Sequence, residues 1–320
     1  MRLATYRHEG RVRAGVLVND HLHDLPNGYT ALDAVCLGLV ELLDLGNRAI
    51  NSAPPVPLTE VRLLPPLTPP TVRDFVAFEE HVEGVVRSVS GSAGVAPEWY
   101  EAPTFYFTNP SALIGAHDPV EVPHGCEKLD FELEVAAVIG REGIDLDPVA
   151  ARKHIIGYTI LNDWSARDLQ AREMRVNLGP AKGKDFASTL GPWLVTADEL
   201  EAHHDADGFL RLRMTVEVNG RLVGEDLLSN MGWPFGDLVA YASRGAWVRP
   251  GDVLGSGTAG NGGCLAELWG RGVDIPPLRP GDQVTMTVEG IGTVTNTVTA
   301  RSSPPPPPVR PARARPRDRG

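Results

Sequence analysis

Residues 129–139 read Leu-Asp-Phe-Glu-Leu-Glu-Val-Ala-Ala-Val-Ile, a run of strand composition with two glutamates two positions apart. Side chains alternate faces along a strand, so Glu132 and Glu134 fall on one face while Phe131, Leu133 and Val135 fill the other. Anions held side by side repel unless water covers them or a cation sits between them. A wet, charged sheet face and a buried cation site are both open at this point. A second run, Ile155-Ile156-Gly157-Tyr158-Thr159-Ile160-Leu161, is apolar in the manner of a buried strand and ends in Asn162-Asp163-Trp164-Ser165. The chain is thereby constrained to build a sheet whose interior strands deliver acids to one place. Three carboxylates from two strands, with no cysteine in either, describe a site for a hard divalent cation. Mg²⁺ fits, with Mn²⁺ or Ca²⁺ as substitutes, and a structural Zn²⁺ does not.

The strand pattern continues from Val72 to about Thr299, with few helices and many turns, and no regular alternation of strand and helix. Arg249-Pro250-Gly251-Asp252 and Arg279-Pro280-Gly281-Asp282 place Pro and Gly as a type II turn requires, and Val218-Asn219-Gly220-Arg221 is a hairpin signal. The reading is a mixed, β-rich α+β fold. Residues 1 to about 70 form a small unit of short strands followed by an amphipathic helix capped by Thr30, with Leu32, Val35, Cys36, Leu39 and Leu43 on one face. A proline-rich connector from Ala53 to Pro70 marks a boundary, giving expected units 1–70, 71–300 and 301–320. The last of these, a five-proline run followed by Arg, Pro and Ala, has no apolar periodicity and reads as a disordered extension.

Charge excludes other classes. The formal net charge is -11, and the last twenty residues hold six Arg and one Asp, which leaves -16 for the rest, a poor match for nucleic acid. No segment has the apolar length to cross a bilayer, and the start is too polar for a signal peptide. Cys36, Cys126 and Cys264 are odd in number and far apart, as expected of free thiols in a reducing cytoplasm. Gly255-Ser256-Gly257-Thr258-Ala259-Gly260 matches a dinucleotide fingerprint by letter, but it runs into Asn261-Gly262-Gly263 with no helix to receive a pyrophosphate. A loop whose amides approach a substrate is the better reading.

Further motifs stand in a telling order. Asp74-Phe75 is followed by His81, then Leu129-Asp130-x-Glu132-Leu133-Glu134, then Asn162-Asp163-Trp164-Ser165-Ala166-Arg167-Asp168-x-Gln170, then Gly183-Lys184-x-Phe186, then Ser256-Gly257-Thr258, then Cys264-x-x-Glu267-Leu268. From about Asp74 to Glu267 this resembles the fumarylacetoacetate hydrolase family. The resemblance implies a β-roll-like catalytic domain, a small SH3-like N-terminal domain, a homodimer and a divalent metal. It puts Asp74, Glu132, Glu134 and Asp163 on the metal ligands, His81 on the general base and Glu267 on the acid that orients it. Arg167, Gln170 and Lys184 fall on groups around substrate and leaving-group oxyanions, and Thr258 and Tyr106 on substrate contacts. The implied substrate is a small diketo acid, fumarylacetoacetate-like or acylpyruvate-like, cleaved at a carbon-carbon bond. An oxaloacetate-type decarboxylase, a hydratase or an isomerase on the same scaffold is the alternative, as is a metal-stabilised binding protein without turnover.

Departures from the family pattern concern the substrate. Val76 and Met174 stand where fumarylacetoacetate hydrolases carry substrate-contacting tyrosines, and Arg87 is the candidate for an arginine expected after the His. The smaller relatives that decarboxylate oxaloacetate or cleave acylpyruvates pair their His with a Glu three residues later; here that position is Gly84.

Overall fold

The computed structural model describes residues 1–52, 54–90 and 94–312, the side chains of 88–90 excepted. Its principal strands are β1 (Arg2–His8), β2 (Arg11–Val18), β3 (His21–Asp24), β4 (Val72–Phe75), β5 (Phe105–Thr108), β6 (Leu133–Ile139), β7 (Ile155–Asp163), β8 (Ser188–Thr196), β9 (Arg213–Val218), β10 (Arg221–Leu227), β11 (Val253–Gly255), β12 (Gln283–Val288) and β13 (Gly292–Thr299). The helices that matter below are α1 (Ala31–Cys36), α2 (Leu39–Ser52), α3 (Glu79–Ser90), α4 (Arg167–Met174), α5 (Phe235–Ala242) and α6 (Leu265–Gly270).

One large mixed sheet runs β3-β2-β1-β8-β7-β6-β11-β4-β5, antiparallel except where β11 and β4 run parallel. A second sheet, β10-β9-β12-β13, lies beside it. At β6 the wet-face alternative fails, because every residue of β6 and of β7 is buried. Strands covered on both faces need no apolar-polar alternation, and Val135, Ala136, Ala137, Val138 and Ile139 supply a continuous apolar run. Phe131, Leu133, Val135, Ala137 and Ile139 enter the main core with Trp164, Tyr158 and residues of the second sheet, while Ala136 and Val138 enter another.

That other core is shared with the N-terminal residues. Leu3, Val16, Val35, Leu42 and Leu45 pack with Val72, Ala136, Ile156, Leu190 and Val253. Arg2 and Leu3 of β1 pair with Val195 and Leu194 of β8. The segment expected to form a small unit of its own thus extends the large sheet, since β1 offers both a free edge and an apolar face to β8. The single helix expected after Thr30 is two. Thr30 and Asp33 form a capping box, but the chain breaks at Gly38, whose φ of +90° belongs to the left-handed region. The break resets the helical phase, so α2 buries Leu42, Leu45 and Ala49 and leaves Leu39 and Leu43 partly exposed.

The turn signals read from the sequence are present. Asn219 and Gly220, at φ 53° and 75°, join β9 to β10, and Gly251 and Gly281 have φ of 89° and 100°. Residues 301–312 carry no helix or strand and are exposed, touching the body where Ser302 donates to Glu121; 313–320 lie outside the described residues. Truncation after Ser302 is expected to shift the melting temperature by less than about 2 °C, because almost no apolar surface is lost; a larger fall in calorimetry would contradict this.

Candidate active site

Strand register assembles the acids. Asp74 on β4 lies opposite Tyr106 on β5 and beside Gly255 on β11; Ala136 on β6 pairs with Gly255, and Asp163 at the end of β7 faces Ser188 on β8. Asp74, Glu132 and Glu134 therefore converge, each buried, with one carboxylate oxygen apiece lying within 4.8 Å of the others. Asp163 stands next to this group. Its Oδ2 receives the Tyr106 hydroxyl and the Lys184 ammonium at 2.7 Å, and its Oδ1 accepts from Ser188 Oγ at 3.1 Å. The Tyr106 hydroxyl oxygen also lies 3.1 Å from Asp74 Oδ2.

The expected substrate contacts are engaged with these acids. Lys184 Nζ reaches Glu132 Oε2 at 2.5 Å as well as Asp163. Arg167 Nη2 lies 2.7 Å from the other oxygen of Glu132, its Nε donates to Asp130 Oδ2 at 2.8 Å, and its Nη1 donates to Gln170 Oε1 at 3.2 Å. Arg167, Lys184 and Tyr106 are thus brought to the centre as partners of the acids, and Gln170 through Arg167. Thr258 is buried in the loop after β11, which is stitched to the start of β6 by Ala259 N to Leu133 O and Leu133 N to Gly263 O.

Ionisation differs sharply between these neighbours. Burial, then the negative charge of Asp163, pushes Asp74 up to about 7. Burial and Asp74 raise Glu134 well above the carboxylate range, and burial raises Asp163 as well. Burial acts the same way on Glu132, but Lys184 and Arg167 overcome it and hold this carboxylate down at about 2. Two cations cannot neutralise Asp74, Glu132, Glu134 and Asp163 together, so part of the cluster holds protons instead.

Among the described residues, no N–H or hydroxyl donor reaches the buried Asp74 Oδ1 or either oxygen of Glu134, which have only each other's carboxyl groups to share a proton with. Such carboxylate oxygens in a dry site are the donor set a hard divalent cation takes, and the residues present fit one. Gly255 makes the room: a Cβ there would lie 2.5 Å from Asp74 Oδ1 and 2.9 Å from Glu134 Oε2. Gly255→Ala is expected to weaken Mg²⁺ or Mn²⁺ affinity at least about tenfold with the fold retained, as calorimetric titration would show; unchanged affinity would separate Gly255 from the site.

The His81–Glu267 pair implied by the family resemblance is not made. His81, in the first turn of α3, is buried, and burial lowers its imidazole to about 4. Its Nδ1 faces Cys264 Sγ at 3.7 Å. Glu267 Oε1 accepts from Gly262 N at 3.1 Å and meets Arg271 at 2.5 Å, while Oε2 has no hydrogen-bond partner among the described residues. The reason is packing. Position 84 has no side chain, and Glu267 fills the space: a Cβ on Gly84 would lie 2.5 Å from Glu267 Cγ. Burial pushes Glu267 up to about 7 despite Arg271. Arg87, the other candidate, is exposed and paired with Glu83 at 3.0 Å; Val76 is half-buried and Met174 half-exposed.

Two supporting residues escaped the sequence reading. Asp130 is fully buried and accepts from Phe131 N, Leu265 N, Ala266 N and Arg167 Nε, fastening the N-terminus of α6 to the arginine that holds Glu132. Its place in Leu-Asp-x-Glu-Leu-Glu was the available signal. Gly255 was visible as part of a glycine-rich loop, but no local pattern tells which atoms approach it. A surface hollow of about 880 Å³ between Arg152, Glu201 and Pro234 opens near Ile155 and Tyr158 on β7, whereas Asp163 closes the strand's other end.

Residues 71–299 match the model of the fumarylacetoacetate hydrolase C-terminal family. Among curated proteins, the chain is 30% identical over 284 residues to fumarylacetoacetase of Arabidopsis thaliana, covering 72% of this chain and 67% of that one. It is 30% identical over 261 residues to a mitochondrial oxaloacetate tautomerase of Homo sapiens, covering 80% and 76%. The solved fumarylacetoacetate hydrolase of Exiguobacterium antarcticum superposes with a TM-score of 0.72 at 28% identity, over 94% of this chain and all of that one.

Proposed function

Since the chain belongs to the fumarylacetoacetate hydrolase family, we propose that it is a divalent-metal-dependent hydrolase cleaving a carbon-carbon bond in a small diketo acid, fumarylacetoacetate-like or acylpyruvate-like. The observation that carries this reading is the buried convergence of Asp74, Glu132 and Glu134 beside Lys184, with oxygens of Asp74 and Glu134 that no N–H or hydroxyl donor reaches among the described residues. Asp74, Glu132, Glu134 and Asp163 hold the ion, Mg²⁺ with Mn²⁺ or Ca²⁺ as substitutes. When bound, it would supply the Lewis acidity that orients a 1,3-dicarbonyl and polarises the carbonyl to be attacked.

His81 takes a proton from water and passes it on to the leaving carbon; burial keeps the imidazole neutral, the form that can accept one. Attack at the carbonyl breaks the carbon-carbon bond and expels an enolate, which needs a sink for its charge. Lys184 and Gln170 supply that sink, with Arg167 keeping Glu132 ionised and Tyr106 and Thr258 lining the substrate. The protein works as a homodimer in the cytoplasm, a reading supported by its three free thiols and by Phe107, 64% exposed on the edge strand β5. Among the described residues no helix is long and apolar enough to cross a membrane.

A keto-enol isomerase of oxaloacetate type is the second reading. It is favoured by the unmade His81–Glu267 pair, because proton transfer on a chelated diketo acid needs no hydroxide. A panel of fumarylacetoacetate, acylpyruvates and oxaloacetate, assayed with Mg²⁺ for loss of enol absorbance and for products, decides between them. Two shorter acids formed from one diketo acid support the hydrolase; enol loss with the carbon skeleton intact supports the isomerase and overturns the hydrolase.

A further inference from the structure

We propose that Cys264 is the positioning residue for His81: its sulfur, and not the carboxylate of Glu267, holds the imidazole at Nδ1 and leaves Nε2 to exchange a proton with water or substrate. This rests on the reading of His81 as general base. Among the described residues, Cys264 Sγ is the polar partner of the buried imidazole, at 3.7 Å. Glu267 engages Arg271 and Gly262 N through Oε1, and among the described residues Oε2 makes no hydrogen bond to His81.

The sulfur is itself held in place. Glu267 N donates to Cys264 Sγ at 3.4 Å, so Cys264 caps α6 through its side chain. The next two amides, Leu265 N and Ala266 N, donate to Asp130 at 2.7 and 3.0 Å. Asp130 in turn receives Arg167, which contacts Glu132 at 2.7 Å. The imidazole on α3 and Glu132, just before β6, are thereby referred to one anchor, the N-terminus of α6. Glu267 contributes to His81 through its backbone amide rather than its carboxylate. For Nε2 to accept a proton, Nδ1 must carry the other and donate to sulfur, the one of the two tautomers that the proposal requires.

The test is nitrogen NMR of isotope-labelled histidine in the full chain with Mg²⁺, without substrate, together with steady-state kinetics on the best substrate of the panel. The expected result is one fixed Nδ1–H tautomer for the signal that His81→Ala removes. In Cys264→Ala that signal moves to tautomer-averaged positions, and kcat falls about tenfold with KM nearly unchanged. Cys264→Ser, which keeps an acceptor and a cap, restores the signature and brings kcat back to within about threefold. Glu267→Gln leaves the signature as it is. A wild-type signature in Cys264→Ala, or its loss in Glu267→Gln, overturns the proposal. Should Cys264→Ala fail to fold, the wild-type and Glu267→Gln spectra still decide, because averaged tautomers in the first or a changed tautomer in the second is fatal. Full turnover by His81→Ala would sink the general-base reading alone, since the tautomer is measured with no substrate present.

Discussion

His81→Ala is expected to lower turnover on the best diketo acid by about 10² to 10⁴-fold while leaving divalent-cation affinity where it was. The imidazole is buried against the acid cluster, and the charges of Glu132, Arg167 and Lys184 all act on it, yet it is bonded to none of them. Its loss therefore removes a proton acceptor without removing a ligand. Glu267→Gln is expected to cost less, since its carboxylate meets Arg271 and Gly262 N rather than His81. A His81→Ala enzyme with full activity, or one that no longer binds Mg²⁺, would reopen the assignment.

Stripped of divalent ions, the protein is expected to lose stability as pH rises from about 4 to about 7, and Mg²⁺ or Mn²⁺ should restore it. Asp74, pushed up to about 7, and Glu134 and Asp163, both raised, bind more protons folded than unfolded across that window. Stability that depends on holding those protons is present below the unfolded carboxylate range and fades as pH climbs through the folded values. Glu132, held at about 2, works the other way, and its contribution disappears only in strong acid. A cation replaces the protons, so binding near neutral pH should release protons to an indicator dye. Glu134→Gln should weaken binding by about 100-fold or more and blunt that release. Melting temperatures across pH, with and without Mg²⁺, provide the check; a flat profile for the ion-free protein would show that the acids are not held as described.

The local chemistry of this site was legible because its carriers sit in short, dense motifs. Glu132 and Glu134 two apart, Asp163 at a strand end, and the block from Asn162 to Gln170 needed no three-dimensional knowledge to single out. Strand periodicity and the Asn-Gly and Pro-Gly turns likewise announced a β-rich chain, because those residues answer to backbone sterics within a few positions of themselves.

What lay beyond the sequence depended on which distant atoms meet. Whether the β6 face was wet or buried followed from what packs over the sheet, which puts Ala136 and Val138 in one core with Val35 and Leu42 of the N-terminal segment, not from β6 itself. That β1 would complete the large sheet was decided by an open edge on β8, and that Gly38 would split the N-terminal helix by a single left-handed residue. Glu267 turned from His81 because Gly84 left space on α3, and Cys264 came to face His81 because Asp130 anchors the start of α6. Sequence determined which groups could do the chemistry; packing between segments far apart in the chain decided which of them touch, since a side chain's partner is set by the space and charge that remote elements leave around it.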